Sequence, residues 1–290
     1  MFKVLVCYHK EYEIPNDKEL YLPIQVGKKI SDIDLKIQSD DSLNGKSCDN
    51  ISDQNGLFCE MTAMYWAWKN IRKLYDDIDY VGLCHYRRYF YYPSTFVNKA
   101  KNALIYRGKA ICSLFWTQKR GLKIDLSIKK IDSCNTKAMQ KFNQSLKSIL
   151  KKKEYDIVTT EPVIYENCKV KDHFSLIGQY HLDLLEKIIA EKYKEYYKAF
   201  RKTLYGSELY AANMIILKTE LLDEYCSFIF ETLNECMKVA VEEKYCYDPL
   251  HEKCFSRVLG YLAEILTSTY IEKNNEMGKN IYYAGKVLIG

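Results

Sequence analysis

Tyr80-Val81-Gly82-Leu83-Cys84-His85-Tyr86-Arg87-Arg88-Tyr89-Phe90 is the stretch on which the fold turns. Its first five residues are largely apolar and follow the polar cluster Asp76-Asp77-Ile78-Asp79, a pattern that predicts a short buried strand. The strand stops abruptly at one imidazole and two guanidinium groups. In open α/β sheets, ligands bind beyond the carboxyl ends of the strands. Arg matches phosphate oxygens bidentately, and aromatic neighbours stack on a base or a sugar ring, so His85, Arg87 and Arg88 suit a diphosphate. The competing reading is a pair of surface arginines bonded to nearby carboxylates.

Outward from this strand the chain alternates. Phe2 to Cys7 reads as a first strand, with His9 in the polar turn after it. Asp32 to Asn55 is rich in Asp, Ser, Asn and Gly and predicts a long loop. Phe58 through Leu74 predicts one helix, apolar over much of its circumference. Tyr155 to Thr159 and Ala212 to Leu217 read as strands. Helical patterns surround Leu176 to Tyr197, Glu220 to about Ala240, and Phe255 to Tyr270. Strands alternating with helices predict an α/β fold with a largely parallel central sheet. At 290 residues the chain suits one main domain over 1–290, with a basic helical insertion at about 94–153.

The net charge of +5 hides an asymmetry. Between Ser94 and Lys153 stand 15 Lys and Arg against Asp125 and Asp132, a local charge of +13, and the rest of the chain carries −8. A basic segment on an acidic body implies an anionic partner. The segment also holds Phe115-Trp116 and a stripe of Met139, Phe142, Leu146, Ile149 and Leu150 at helical spacing, with Lys151 to Lys153 at its end. Basic amphipathic helices favour anionic membrane surfaces. The alternative is a solvated helix whose apolar stripe packs on the main domain.

The 11 cysteines form no C-x-x-C pair, so a zinc site has no support, and they read as buried reduced thiols. No apolar run approaches the ~20 residues of a membrane span, and the N-terminus reads as a strand rather than a secretion signal. The expectation is a cytoplasmic protein, or one held peripherally on the inner face of the plasma membrane. No Gly-rich phosphate loop and no G-x-S-x-G occurs, which removes the usual support for kinases, dehydrogenases and α/β-hydrolases. No known nucleic-acid-binding motif occurs either.

Several blocks together resemble one family. They are Asp49-Asn50-Ile51-Ser52, Phe58-Cys59-Glu60-x-Thr62-Ala63-x-Tyr65-Trp66-Ala67-Trp68-Lys69-Asn70, and Tyr80 through Phe90. Pro23-Ile24-Gln25-Val26-Gly27, Asn213-Met214 and Arg257-Val258-x-Gly260-Tyr261-Leu262-Ala263-Glu264 add to them. The family is that of bacterial capsular and exopolysaccharide glycosyltransferases long catalogued as a domain of unknown function. The resemblance covers most of the chain outside about Ser94 to Ser148. It implies a GT-A-like nucleotide-sugar-binding fold, a uridine diphosphate-linked donor, in some members galactofuranose transfer, and a lipid-linked oligosaccharide acceptor. The chain departs from the family at Asp172-His173-Phe174, where Glu-Gln-Tyr is common, and at Ile265, where Arg is common.

Glycosyl transfer needs a base for the acceptor hydroxyl and a counter-charge for the departing diphosphate. Asp172 and Glu264 are the candidate bases, with Asp248 behind them. Glu264 follows Arg257 and Gly260 at seven- and four-residue spacing on one helix face. His85, Arg87, Arg88 and Arg257 are the candidate diphosphate ligands, and His9, Asn50 and Asn55 the candidates for the nucleotide. Asn213 and His173 are candidates to touch the sugar. No metal-ligand residues are nominated: Asp76-Asp77-Ile78-Asp79 looks like a D-x-D motif but precedes its strand, at the wrong end of the sheet. A divalent Mn or Mg ion is left open, with a carboxylate from elsewhere in the fold as its ligand. The rival readings are a nucleic-acid-binding protein and a non-catalytic membrane scaffold, both using the basic segment.

Overall fold

The computed structural model of the chain describes residues 1–91, 122–124, 128–243 and 256–290. Asp248, Phe115, Trp116 and much of the basic segment lie outside these residues. In chain order come strands β1 (Phe2–Tyr8), β2 (Tyr21–Gln25), β3 (Gln38–Ser39), β4 (Ser42–Leu43) and β5 (Lys46–Ser47). Helices α1 (Asn55–Phe58) and α2 (Met61–Leu74) follow, then β6 (Tyr80–His85), β7 (Arg88–Tyr91), β8 (Leu122–Ile124), β9 (Ile128–Ile131) and α3 (Lys137–Lys152). Next are β10 (Ile157–Thr160), β11 (Val163–Glu166), α4 (Val170–Phe174), α5 (Gln179–Lys192), α6 (Lys194–Tyr205) and β12 (Glu208–Leu209). The chain finishes with β13 (Ile215–Lys218), α7 (Thr219–Glu242), α8 (Val258–Glu276) and β14 (Ile281–Ile289).

The central sheet is mixed. β3, β2, β1 and β6 pair in parallel, in that order. β13 lies antiparallel between β6 and β10, and β10 pairs in parallel with β14. β14 also takes β9 in parallel and β7 antiparallel. Residues in these strands alternate between two cores. Leu5, Cys7, Val81, Leu83, Ile215 and Leu217 face one core, and Val4, Val6, Tyr80, Cys84, Met214 and Ile216 face the other. That two-residue period is what a sheet covered on both faces requires.

The first face is covered by α2, α5, α6, α7 and α8. Trp66 on α2 is fully buried, and its indole Nε1 donates to the Ser42 carbonyl in the long N-terminal loop at 2.9 Å. Arg72 and Trp68 both bond Asp223, which fastens α2 to α7. The second face is covered by α3, which buries Met139, Leu146 and Leu150 against the sheet. Thr136 caps α3 by accepting from the Met139 N–H at 3.2 Å. Each such buried side chain contributes about 1.5–3 kcal/mol.

The basic segment is thereby partly resolved. Its helical stripe is core, and β9 and α3 are built into the main fold. The lysines of α3 have local partners: Lys147 pairs with Asp17 and Glu19, and Lys151 with Glu19. Lys153 pairs with Asp79, which also holds the Met1 amino group. Asp79 thus has a structural partner set at the start of β6, the edge of the sheet away from the strands' carboxyl ends.

Three other differences from the sequence reading matter. The expected helix from Phe58 is broken at Cys59, whose backbone (φ 52°, ψ −131°) separates α1 from α2. The expected strand from Ala212 begins only at Ile215, because Ala212 (φ 68°) and Asn213 (φ 50°) are left-handed. β14, beyond the last expected helix (Phe255 to Tyr270) and in a stretch with no expected element, joins β10, β7 and β9 into one sheet.

Candidate active site

Three segments converge at the carboxyl ends of the parallel strands. β1 is followed by His9. β6 ends in His85, and the turn after it carries Tyr86, Arg87 and Arg88. Because β13 runs the opposite way, its entry turn brings Ala212 to the same edge. Helices α1, α2 and α8 complete the wall with Asn55, Glu60, Arg257 and Glu264. Together they line a cavity of about 670 Å³.

The backbone is strained around this space. Of the eight described non-glycine residues with positive φ, Cys59, Ala212 and Arg257 line the cavity and Asn213 lies directly behind it. Such conformations persist only where surrounding structure enforces them, and they cluster at functional sites. Here the enforcement is visible. Asn55 donates through Nδ2 to the Cys59 carbonyl at 2.6 Å and to Thr62 Oγ1 at 3.1 Å, which fixes the α1–α2 turn. Arg257 donates its backbone N–H to the Gly56 carbonyl at 2.8 Å, joining the start of α8 to the same turn.

The charges divide by side chain type. Arg87 donates through Nε to the Ile289 carbonyl at 3.1 Å and lies over the Tyr12 ring. Arg257 lies over the Tyr261 ring and contacts the Cys59 thiol, which burial pushes up to about 11. The arginine ion pairs among the described residues are those of Arg72 with Asp223 and Arg201 with Glu186. Arg87, Arg88 and Arg257 have none there, so three guanidinium charges border the cavity without a counter-ion among the described residues.

Two histidines behave differently. Burial lowers the His85 pKa, partly opposed by the charge of Glu60, and burial with Lys10 and Arg257 lowers that of His9. Both rings are therefore neutral near pH 7. His85 Nε2 lies 2.7 Å from the Ala212 carbonyl, and a carbonyl only accepts, so Nε2 carries the hydrogen and Nδ1 the lone pair. His85 was expected to offset diphosphate charge. Its neutral ring supplies hydrogen bonding rather than charge, and the positive potential belongs to the arginines.

Of the residues nominated from sequence, His9, Asn55, His85, Arg87, Arg88, Arg257 and Glu264 come together around the cavity. Asn50 does not. It donates to the carbonyls of Cys48 and Asp41 and accepts from the Ser52 N–H, which shapes the loop. Asp172 is exposed and accepts from the Lys169 N–H at the start of α4. His173 stacks on Tyr165 at 4.3 Å between ring centroids. Asn213 is fully buried and bonds protein groups, so it is not placed to touch a sugar.

The sequence reading passed over Glu60, Tyr86 and Tyr261, which also line the cavity. Glu60 stood inside an expected continuous helix, where it reads as an ordinary helix body residue. Only the break at Cys59 places it at the first turn of α2, facing the cavity. Glu60 Oε1 accepts from Asn213 Nδ2 at 2.8 Å, and Glu264 Oε2 accepts from the Ala212 N–H at 3.0 Å. The cavity thus combines three cations with two oriented carboxylates.

A family model described as a domain of unknown function, DUF4422, matches residues 3–275. No curated protein matches the chain. The apo structure of WbbM, a bifunctional glycosyltransferase, superposes with a TM-score of 0.72 at 22% sequence identity. The superposition covers 100% of this chain and 45% of the WbbM chain, so this chain spans less than half the length of that protein. The likeness is one of fold, a mixed α/β architecture around a central sheet.

Proposed function

The chain belongs to the DUF4422 family, and from that premise we propose that it is a glycosyltransferase. It moves a hexose, galactofuranose among the candidates, from a uridine diphosphate-linked donor to a growing capsular or exopolysaccharide acceptor. One observation carries this reading. Arg87, Arg88 and Arg257, none ion-paired among the described residues, meet Glu60 and Glu264 in one cavity at the carboxyl ends of the strands. A nucleoside diphosphate leaves with growing negative charge, which guanidinium groups stabilise, while a carboxylate accepts the proton of the attacking hydroxyl. The fold likeness to a bifunctional glycosyltransferase supports the same reading.

Finer points follow from it. The run β3-β2-β1-β6 in parallel, then antiparallel β13, then β10 and β14, supports a GT-A-like nucleotide-sugar fold. His85-Tyr86-Arg87 stands at the end of β6 with cations rather than paired carboxylates, which supports charge neutralisation by arginine in place of a divalent ion. The acceptor is a lipid-linked oligosaccharide met at the inner membrane face. No helix among the described residues is long and apolar enough to cross a membrane. Attachment then rests on the part of the basic segment outside α3, since the stripe of α3 is buried.

Calorimetric titration tests the reading. Uridine diphosphate should bind the chain, and Arg87→Ala should weaken binding by about 1.5–3 kcal/mol, the scale of a hydrogen bond to a charged group. Unchanged affinity in a folded Arg87→Ala protein contradicts the assignment of the cavity. No binding to the unaltered chain favours the scaffold reading.

A further inference from the structure

We infer that Glu60 is the group that takes the proton from the attacking hydroxyl, and that Asn213 is the residue that positions it. The inference rests on the glycosyltransferase reading and deepens it at the same cavity.

Glu60 directly follows Cys59, whose φ of 52° and ψ of −131° fall in a region that strongly favours glycine. That turn sets Glu60 at the start of α2, on the cavity wall. One oxygen, Oε1, is held by Asn213 Nδ2 at 2.8 Å. The other, Oε2, has no hydrogen-bond partner among the described residues.

The Asn213 amide has one possible orientation. Its Nδ2 faces two acceptors, the Glu60 carboxylate and the Gly260 carbonyl at 3.3 Å. Its Oδ1 accepts from the Thr267 hydroxyl at 3.1 Å. Thr267 has a single hydrogen to give, so Tyr225 must donate to Thr267 across their 2.9 Å contact. The result is a buried directional chain, Tyr225 to Thr267 to Asn213 to Glu60. Asn213 itself is fully buried, so it acts on a substrate only through Glu60.

The same left-handed turn serves two further cavity groups. The Ala212 N–H holds Glu264 at 3.0 Å, and the Ala212 carbonyl holds His85 Nε2 at 2.7 Å. Both Ala212 and Asn213 adopt positive φ, a conformation non-glycine residues take at a cost. Glu264 follows Arg257 by seven residues along α8, and Glu60 stands on the same cavity wall within electrostatic reach of both His85 and Arg257.

The step balances as a direct displacement. A lone pair of the acceptor hydroxyl oxygen forms the new bond to the anomeric carbon, and its proton passes to Glu60 Oε2. The bond from the anomeric carbon to the β-phosphate oxygen breaks, and its electron pair leaves on that oxygen, opposite Arg87, Arg88 and Arg257. Glu60 then returns the proton to solvent.

Glu60→Gln is a mild change, because an amide oxygen still accepts from Asn213 while the basic oxygen is lost. Release of uridine diphosphate from uridine diphosphate hexoses, galactofuranose included, is measured with water as acceptor, alongside calorimetric binding of uridine diphosphate. The expected result is a kcat lower by about 10²–10⁴-fold with nucleotide affinity unchanged. Asn213→Ala removes the hold on Glu60 Oε1 and should lower kcat while leaving uridine diphosphate affinity and the donor KM unchanged, a split that lost stability alone would not produce. Near-normal turnover by Glu60→Gln, with turnover abolished in Glu264→Gln, overturns the inference and leaves the glycosyltransferase reading standing. If the unaltered chain releases no uridine diphosphate from any donor, that reading fails and the inference falls with it.

Discussion

At His85 the partner is a backbone carbonyl, and that one contact fixes the tautomer and keeps the ring hydrogen-bonded while neutral. Burial holds its pKa below the ordinary value of 6.5, against a smaller opposing pull from Glu60, while Arg88 and Lys286 lower it further. The consequence for stability has a definite sign. The unfolded chain takes up this proton as pH falls through about 6.5, whereas the folded chain resists it. Stability is therefore complete above that pH and declines below it, through the folded pKa. Urea midpoints measured from about pH 8 to pH 5 should fall on the acid side, and His85→Gln should flatten part of that slope. A variant with the slope of the unaltered chain would show that His85 is not the group responsible. Much of this site was legible at the residue scale: an apolar strand ending in His85, Arg87 and Arg88 announces a ligand edge. Glu60 was not, because its role depends on the backbone of the residue before it.

Cys59 shows why, at the scale of elements. Sequence periodicity reports which residues share a helix face and is blind to a single residue with positive φ, so two helices read as one. Asn213 was misread in the same way, since a left-handed turn followed by Ile215-Ile216-Leu217 looks like a longer strand. β14 escaped because Ile281–Ile289 mixes buried and half-exposed residues around Gly285 and has no clean alternation. The amphipathic stripe of α3 was legible, but its destination was not: a membrane and a bare sheet face call for the same pattern. The packing of α8 on the Cys59 turn gives a test. A Cβ at Gly260 would stand 3.0 Å from Cys59 Sγ and 3.2 Å from Cys59 Cβ. Cys59 cannot easily yield, being held through both its N–H and its carbonyl by Asn55. Gly→Ala within a helix ordinarily gains about 1 kcal/mol. Here overpacking of about 1–3 kcal/mol should cancel or exceed that gain. Gly260→Ala should show no rise in Tm and a large loss of turnover, since Glu60 adjoins the displaced turn. A higher Tm with full activity would refute the claim that this contact sets the site.

Across the described residues, the candidate site lies at one edge of the sheet. The carboxyl ends of β1 and β6 and the entry to β13 carry the cavity, while Met1, Asp79 and Lys153 tie the opposite edge together. Lys151 to Lys153 are thus far from the place where donor and acceptor would meet, and two of the three have acidic partners. The family and the α/β class were legible from motifs spread over most of the chain, because buried strands and the tryptophan helix leave strong local patterns, whereas the antiparallel pairings of β13 and β7 that make the expected largely parallel sheet a mixed one were not. The assembly of the site was not, since it depends on how α8 and the Ala212-Asn213 turn approach β6 from distant parts of the chain. The central claim is transfer from a nucleotide sugar, and the most direct measurement is release of nucleoside diphosphate from a panel of nucleotide sugars, with and without a chelator. Release from a uridine diphosphate hexose that persists in chelator is the predicted result. Release that stops with chelator contradicts the arginine-based neutralisation, and no release from any donor contradicts the glycosyltransferase reading itself.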